Sequence, residues 1–220
     1  MFSAVVFDMD GVITDTEKLY RRFQKETGRE YGIPEDVMDI ACNRIAGGNK
    51  YTNKKVFEEV VGRGIDYFVY REDMMKKLDA HIREHGVELK AGVRETLAYL
   101  SEHGIKIGLA TSTVKERAEK NLRQNGIYEF FDELVYGDMI DPGRGKPCPD
   151  IYLKACERLG VPPADAVGVE DSRNGVRSVH DAGMYTVMVI DLIRPDHHTE
   201  PYTDKVYDRM DEMLELFEEA

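Results

Sequence analysis

The chain begins with a short apolar run that leads directly into two acidic residues. Ala4-Val5-Val6-Phe7 is followed by Asp8-Met9-Asp10-Gly11. An apolar run of this length is typical of a strand buried on both faces, as in a parallel sheet. Residues i and i+2 of an extended segment point the same way, so we expect Asp8 and Asp10 to lie together. Two close anions need a cation or a proton between them, and Mg²⁺ suits oxygen ligands. The alternative is an ordinary strand-to-turn pair, with Gly11 supplying the turn.

Two different patterns follow this segment. Residues 15–87 show helical spacing of apolar residues, interrupted by glycines, and predict a small all-helical unit. From Gly92 onward, short apolar strands alternate with helices, which predicts an α/β fold with a parallel sheet and right-handed crossovers. The predicted strands are 105–110, 133–136, 166–169 and 185–190, and the predicted helices are 93–100, 115–124, 150–159, 175–182 and 210–217. The helical unit therefore interrupts the sheet after its first strand.

Composition excludes several classes of function. The 220 residues are 42% hydrophobic and 33% charged, with a net charge of -12, which disfavours nucleic acid and anionic membrane surfaces as partners. No run approaches the roughly 18 apolar residues of a membrane span, and no signal-peptide pattern opens the sequence, so a cytoplasmic protein is expected. The three cysteines lack CxxC spacing and indicate reduced thiols, neither a disulfide framework nor a zinc site.

The polar clusters of the second half follow predicted strands. Ligands of open parallel sheets gather at the carboxyl ends of the strands, so clusters at those ends are expected to converge. The clusters are Asp8 with Asp10, Thr111 with Ser112, Glu170 with Asp171, and Lys146 on a loop after another strand.

These side chains make a coherent site for phosphoryl transfer. Asp8 could attack phosphorus to give an aspartyl phosphate, while Asp10 gives a proton to the leaving oxygen and later removes one from water. Thr111 and Lys146 would hold the transferring oxygens. The predicted Mg²⁺ ligands are Asp8, the backbone carbonyl of Asp10, Asp171 and Glu170.

Each assignment has an alternative. Lys146 could be a solvated loop lysine, although it lies in a rigid Gly145-Lys146-Pro147 frame. Thr111 could cap the helix that follows it, and Glu170-Asp171-Ser172 could equally be a helix-capping cluster.

Four segments together resemble the motifs of the haloacid-dehalogenase-like superfamily. They are Asp8-Met9-Asp10-Gly11-Val12 with Thr14-Asp15, Leu109-Ala110-Thr111-Ser112, Gly145-Lys146-Pro147 with Pro149-Asp150-Ile151-Tyr152, and Val169-Glu170-Asp171-Ser172 with Asn174-Gly175. The resemblance implies a Rossmann-like core formed by residues 1–14 and 91–220, a helical cap domain at 15–90, an aspartyl-phosphate intermediate and Mg²⁺. The branch it resembles most is that of β-phosphoglucomutase and related sugar-phosphate phosphatases.

Departures from that branch bear on the reaction. Dehalogenases and phosphonoacetaldehyde hydrolases resemble this chain but lack an acid at the position of Asp10, which favours phosphate esters as substrates. The mutase-like caps carry a histidine where Tyr20 stands, and a Lys-Gly-x-x-Arg loop where Ala46 and Lys50 replace the lysine and the arginine. These differences argue against mutase activity, since lysine does not reproduce the bidentate grip of arginine.

The candidate substrate-binding residues are Ser112 in the core and Tyr20, Arg44 and Lys50 in the cap. Arg44 and Lys50 could instead be two solvated cations. The resulting prediction is a Mg²⁺-dependent phosphatase acting on a small phosphorylated metabolite, a sugar phosphate. The alternatives are a sugar phosphomutase and a catalytically idle binding module.

Overall fold

The structure is a computed structural model that describes residues 2–45 and 50–218, without the side chains of Lys50 and Thr52. Its contacts divide the chain into two compact units, one formed by Met1–Asp15 with Glu88–Ala220 and the other by Thr16–Val87. Within the described ranges, no helix combines the length and apolar character that a membrane crossing requires.

The first unit is built on a parallel six-stranded sheet. Its strand order is β3-β2-β1-β4-β5-β6, and every neighbouring pair runs parallel. The strands are β1 (Ala4–Phe7), β2 (Lys106–Thr111), β3 (Glu133–Tyr136), β4 (Ala166–Glu170), β5 (Tyr185–Val189) and β6 (Lys205–Tyr207). The predicted α/β fold with a Rossmann-like parallel sheet is confirmed, since this is the strand order of a doubly wound sheet.

Helices cover both faces of this sheet. Val5 and Phe7 of β1 pack into one hydrophobic cluster, and Ala4 and Val6 pack into another on the opposite face. Alternate residues of a strand point to opposite faces, so both sides of β1 are buried as its apolar sequence predicts. The helices of this unit, numbered in chain order after the four helices of the other unit, are α5 (Val93–Glu102), α6 (Lys115–Gln124), α7 (Asp150–Leu159), α8 (Arg173–Asp181) and α9 (Glu215–Glu218).

The second unit consists of helices throughout its described residues. They are α1 (Thr16–Glu30), α2 (Glu35–Ile45), α3 (Lys50–Val60) and α4 (Tyr67–His85). One apolar cluster joins Met38, Phe57 and Tyr70 from three of these helices, and a second joins Phe23 of α1 to Leu78 of α4. Two small cores, built from opposite ends of α4, therefore hold the four helices together.

Two details of the predicted secondary structure were wrong. The final helix, expected at 210–217, is a 3₁₀ helix over Met210–Leu214 and only then the short α9. Met210 and Met213 are both buried, and a spacing of three suits a 3₁₀ helix as well as an α-helix. Strand β6 was not predicted, because three residues with an exposed Lys205 and Val206 at the sheet edge carry too little pattern.

Candidate active site

The candidate site lies where the strand order of the sheet reverses. Residue Asp8 directly follows β1, and Asp171 directly follows the neighbouring strand β4. The connections from these two central strands lead to opposite halves of the sheet, so a crevice opens at their carboxyl ends. The two acidic clusters expected to converge are therefore brought to adjacent strand ends.

Lys146 joins these clusters through all three of its ammonium hydrogens. Its Nζ donates to Asp8 Oδ1 at 2.5 Å, to Glu170 Oε1 at 2.6 Å and to the carbonyl oxygen of Ala110 at 3.0 Å. An ammonium group has three donors and no acceptor, so its hydrogen-bonding capacity is filled. The side chain is only 8% exposed, which rules out the alternative of a solvated loop lysine.

Glu170 is held by protein donors on both of its carboxylate oxygens. Tyr152 donates its hydroxyl to the Oε1 that also meets Lys146, at 2.8 Å. Oε2 accepts from the Ser172 hydroxyl at 3.1 Å and from the Asp171 N–H at 3.2 Å. A Cβ at Gly175 would lie 1.8 Å from the Glu170 carboxyl carbon, so only glycine fits there. Glu170 is thus a buried anchor of the site.

The helix-capping alternative holds for one member of the acidic segment. Ser172 is the N-cap of α8, and its Oγ accepts from the N–H of Gly175 at 3.0 Å. Thr111 does not cap the helix that follows it, because α6 has Val114 at its N-cap. The Oγ1 of Thr111 instead accepts from the N–H of Thr113 at 3.0 Å. Its hydroxyl therefore organises the loop that leaves β2.

Charge and burial oppose each other at the centre of the site. Burial raises the pKa of Asp8 to about 7, against the lowering effect of Lys146 and with further raising effects from Glu170 and Asp10. Burial would lower the pKa of Lys146, but the carboxylates of Asp8 and Glu170 outweigh it and raise that pKa above its ordinary value. Burial also raises the pKa of Tyr152 well above its usual range. Tyr152 therefore remains a neutral hydrogen-bond donor.

Asp10 is held by a residue that the sequence argument did not select. The Thr113 hydroxyl donates to Asp10 Oδ2 at 2.7 Å. Ser112, between Thr111 and Thr113, is exposed. Its backbone lies against Gly137, where a Cβ would come 2.2 Å from the Ser112 carbonyl oxygen. The loop after β2 therefore has a fixed backbone, with the Ser112 side chain exposed.

The donor set suits a hard divalent cation. One carboxylate oxygen each from Asp8, Glu170 and Asp171 lie within 4.8 Å of one another. Oxygens on opposite sides of one Mg²⁺ lie about 4.2 Å apart, so small side-chain adjustments would bring the Asp8 and Asp171 oxygens onto one ion. Glu170 is instead engaged by protein donors. Gly11 has a φ of 85°, and a Cβ there would lie 2.3 Å from Asp171 Oδ2. Glycine thus leaves the space in which Asp171 approaches the turn.

The cap candidates belong to the helical unit, Thr16–Val87. Arg44 makes a bidentate pair with Glu59, at 3.0 and 2.9 Å, so binding a substrate would require it to leave that partner. Tyr20 is hydrogen bonded to Arg71, and burial raises the pKa of its phenol. Lys50 begins α3 but its side chain lies outside the described part, as does Ala46 entirely. Their roles in substrate binding stay predictions.

Sequence reasoning missed three contributors to the core site. Thr113 and Tyr152 both lie within the quoted stretches or next to them, but their roles depend on side-chain directions. The third is the backbone carbonyl of Ala110, a kind of acceptor that no residue pattern reveals. A hydroxyl two residues beyond Thr111 was the available signal for Thr113, because such spacing places it on the same turn.

Comparison with known proteins identifies related chains. The chain matches the haloacid dehalogenase-like hydrolase family over residues 5–189. It is 36% identical over 185 residues to a phosphorylated carbohydrates phosphatase of Thermotoga maritima, covering 82% of each chain. It is 34% identical over 200 residues to the β-phosphoglucomutase of Bacillus subtilis, covering 84% of this chain and 82% of the relative.

A solved structure gives the same fold. The crystal structure of CbbY from Rhodobacter sphaeroides in complex with phosphate superposes with a TM-score of 0.69 at 27% identity, covering 97% of this chain and 96% of that one. The fold and the acidic site define a hydrolase with a doubly wound core. The chain belongs to the haloacid dehalogenase-like hydrolase family, as its four motifs predict.

Proposed function

We propose that the chain is a Mg²⁺-dependent phosphatase that hydrolyses a small sugar phosphate through an aspartyl phosphate on Asp8. The observation that carries this proposal is the buried Lys146 ammonium, which donates hydrogen bonds to both Asp8 and Glu170 at the carboxyl ends of the two central strands. Phosphoryl transfer requires a positioned nucleophile and fixed positive charge beside it. The relative named as a phosphorylated carbohydrates phosphatase supports the substrate class.

The two aspartates divide the chemistry between them. In the first step a bond forms from an Asp8 oxygen to phosphorus as the bond to the leaving alcohol breaks, and Asp10 gives its proton to that alcohol oxygen. In the second step water attacks phosphorus and Asp10 takes its proton, while the bond to Asp8 breaks and phosphate leaves. Both carboxyl groups return to their starting states.

The surrounding residues hold charge and oxygens in place. The Thr111 hydroxyl holds one oxygen of the transferring group, and Lys146 supplies positive charge to that group and exchanges one of its three protein hydrogen bonds for another of its oxygens. Asp8, Asp171 and the Asp10 carbonyl would hold Mg²⁺, which would supply positive charge to those oxygens. Glu170 orients Lys146, because protein donors already engage both of its oxygens. Ser112 is exposed on the same loop and is proposed to contact the substrate.

The charge of the chain agrees with a small phosphate ester as substrate. A net charge of -12 repels nucleic acid and anionic membranes, so neither is proposed as a partner. Lys146 and a bound Mg²⁺ would supply the local positive charge that a small anion needs at this site. The phosphate found with CbbY is bound in a relative of the same fold, which supports a phosphate-sized group as the ligand.

The direct experiment incubates pure protein with Mg²⁺ and a panel of phosphate esters that includes β-glucose 1-phosphate. Release of phosphate is compared with that of an Asp8→Asn variant. We expect the variant to lose roughly 10³-fold or more, since the covalent route and its electrostatic support vanish together. The proposal would be refuted if the wild-type chain hydrolysed none of the esters faster than the variant does.

A sugar phosphomutase is the second candidate, because a β-phosphoglucomutase is among the relatives. It predicts that β-glucose 1-phosphate becomes glucose 6-phosphate faster than phosphate is released, when a bisphosphate activator is present. A coupled assay that detects glucose 6-phosphate separates the two reactions. If free phosphate is released and no glucose 6-phosphate is formed, the chain is a phosphatase and not a mutase.

A further inference from the structure

Thr113 connects the loop after β2 to the proposed proton-transfer residue. Its Oγ1 donates to Asp10 Oδ2 at 2.7 Å. Phe7, the last residue of β1, pairs with Leu109 of β2, so the segments that leave these two strands are neighbours. The contact therefore follows from strand register and joins residues 103 positions apart.

The backbone of Thr113 is fixed on both sides. Its N–H donates to Thr111 Oγ1 at 3.0 Å, and its carbonyl oxygen accepts from the Gly137 N–H at 3.1 Å. A larger residue at position 137 would collide with the neighbouring Ser112 carbonyl. Threonine is also stiff at χ1 because it is β-branched. The hydroxyl direction is thus set by the fold before any substrate binds.

This contact fixes the direction of the Asp10 carboxyl group. The Thr113 hydroxyl donates to Oδ2 at 2.7 Å, so one oxygen of the carboxyl group is held by the loop after β2. The orientation of Asp10 therefore depends on the position of Thr113.

We propose that Thr113 is a positioning residue that orients the Asp10 carboxyl for proton transfer to the leaving oxygen. The proposal rests on the phosphatase function proposed above. Thr113 itself neither gains nor loses a proton overall: the proton passes from Asp10 to the leaving oxygen in the first step and from water to Asp10 in the second. Without the hydroxyl, Asp10 loses the hydrogen bond that directs its Oδ2 and protonates the leaving group less often.

The test compares two esters of similar shape that differ in their need for an acid. Phenyl phosphate releases the more basic phenolate and depends on protonation, whereas p-nitrophenyl phosphate releases a stable anion and depends on it little. For Thr113→Val we expect kcat to fall by about 10- to 100-fold on phenyl phosphate and by less than about threefold on p-nitrophenyl phosphate. Thr113→Ser keeps the hydroxyl and should stay within about threefold of wild type on both.

Two further variants separate positioning from general damage. In an Asp10→Asn background, Thr113→Val should have no further effect on phenyl phosphate, because the two residues act as one unit. Thr203→Val removes a hydroxyl that donates to the Thr199 carbonyl on the loop before β6, and should leave both activities unchanged. Thermal unfolding of each variant checks that the fold is retained.

Several results would overturn the proposal. Equal losses on the two esters indicate a binding or structural role, and unchanged rates on both show that the hydroxyl is not needed. A serine variant as slow as the valine variant, or additive effects in the double variant, contradict it as well. If the wild-type chain with Mg²⁺ hydrolyses neither ester nor any member of the panel, the phosphatase function itself fails and this proposal falls with it.

Discussion

Replacing Lys146 by methionine tests whether the site depends on one buried cation. The substitution keeps the length of the side chain but removes the partner of two carboxylates, on Asp8 and on Glu170, whose side chains are 11% and 1% exposed. Removing one member of a buried ion pair costs about 3–5 kcal/mol, because the remaining charge is left uncompensated. We expect Lys146→Met to lose about that much, a large fraction of the roughly 5–15 kcal/mol of a typical domain.

The pH dependence of this loss has a defined sign. Without the ammonium, the pKa of the buried Asp8 carboxyl should rise further in the folded state, so the folded variant binds more protons than the unfolded chain. Its stability therefore increases as the pH falls toward the carboxyl pKa of about 4 in the unfolded chain. The difference in free energy of unfolding between the variant and the wild type should be largest at about pH 8 and smaller at about pH 5. Adding Glu170→Gln removes one uncompensated charge and should restore part of the stability.

The measurement is urea unfolding in the presence of EDTA, so that no divalent ion replaces the lost charge. The midpoint and the slope are compared at both pH values, since an altered slope signals a departure from two-state behaviour. Lys154→Met is the matched control, because the Lys154 ammonium donates to the Met139 carbonyl and its loss should cost about 1 kcal/mol. A loss at Lys146 no larger than at Lys154, or one that grows toward low pH, would refute the reasoning.

Three other predictions concern Tyr152, Gly11 and the buried cysteines. Tyr152→Phe removes a donor to a buried carboxylate and should cost about 1.5–3 kcal/mol in urea unfolding; a neutral result contradicts the anchoring role. Gly11→Ala should abolish phosphatase activity, because its Cβ would enter the acidic cluster, whereas Gly104→Ala has a similar positive φ with open space around it and should affect stability alone, by about 1 kcal/mol. Burial raises the pKa of both Cys42 and Cys156 to about 11. A thiol reagent at about pH 8 should therefore label only Cys148 until the chain is unfolded. Rapid labelling of more than one thiol in the native protein contradicts this.

The long elements of the fold could be predicted from the sequence, whereas the short ones could not. The alternation of strands and helices predicts a parallel sheet, and apolar runs such as Ala4–Phe7 predict burial on both faces, because these patterns depend on local periodicity. The edge strand β6 and the 3₁₀ helix at Met210–Leu214 depend on tertiary contacts rather than on a local pattern. Short elements have few residues in which a period can be seen, so their pattern carries little information.

The site shows the same division between residue type and residue direction. The stretches around Asp8, Lys146 and Glu170 could be selected because strand ends of a parallel sheet converge. The sequence offered Glu170 as a metal ligand or as part of a helix-capping cluster, and an anchor of Lys146 requires the same acidic residue at that position. The contacts with Tyr152 and Lys146 favour the anchor, and they depend on distances that no spacing along the chain records.

The two aspartates that open the sequence are distinguished by their partners. Asp8 bonds an ammonium, which opposes the effect of burial and favours the carboxylate that a nucleophile needs. Asp10 bonds the neutral hydroxyl of Thr113, which tolerates the acid form as well as the base form. A nucleophile must be charged at the moment of attack, whereas an acid–base residue must alternate between two states. Two identical side chains, two residues apart, are thus suited to the different steps proposed for them, because one contacts Lys146 and the other contacts Thr113.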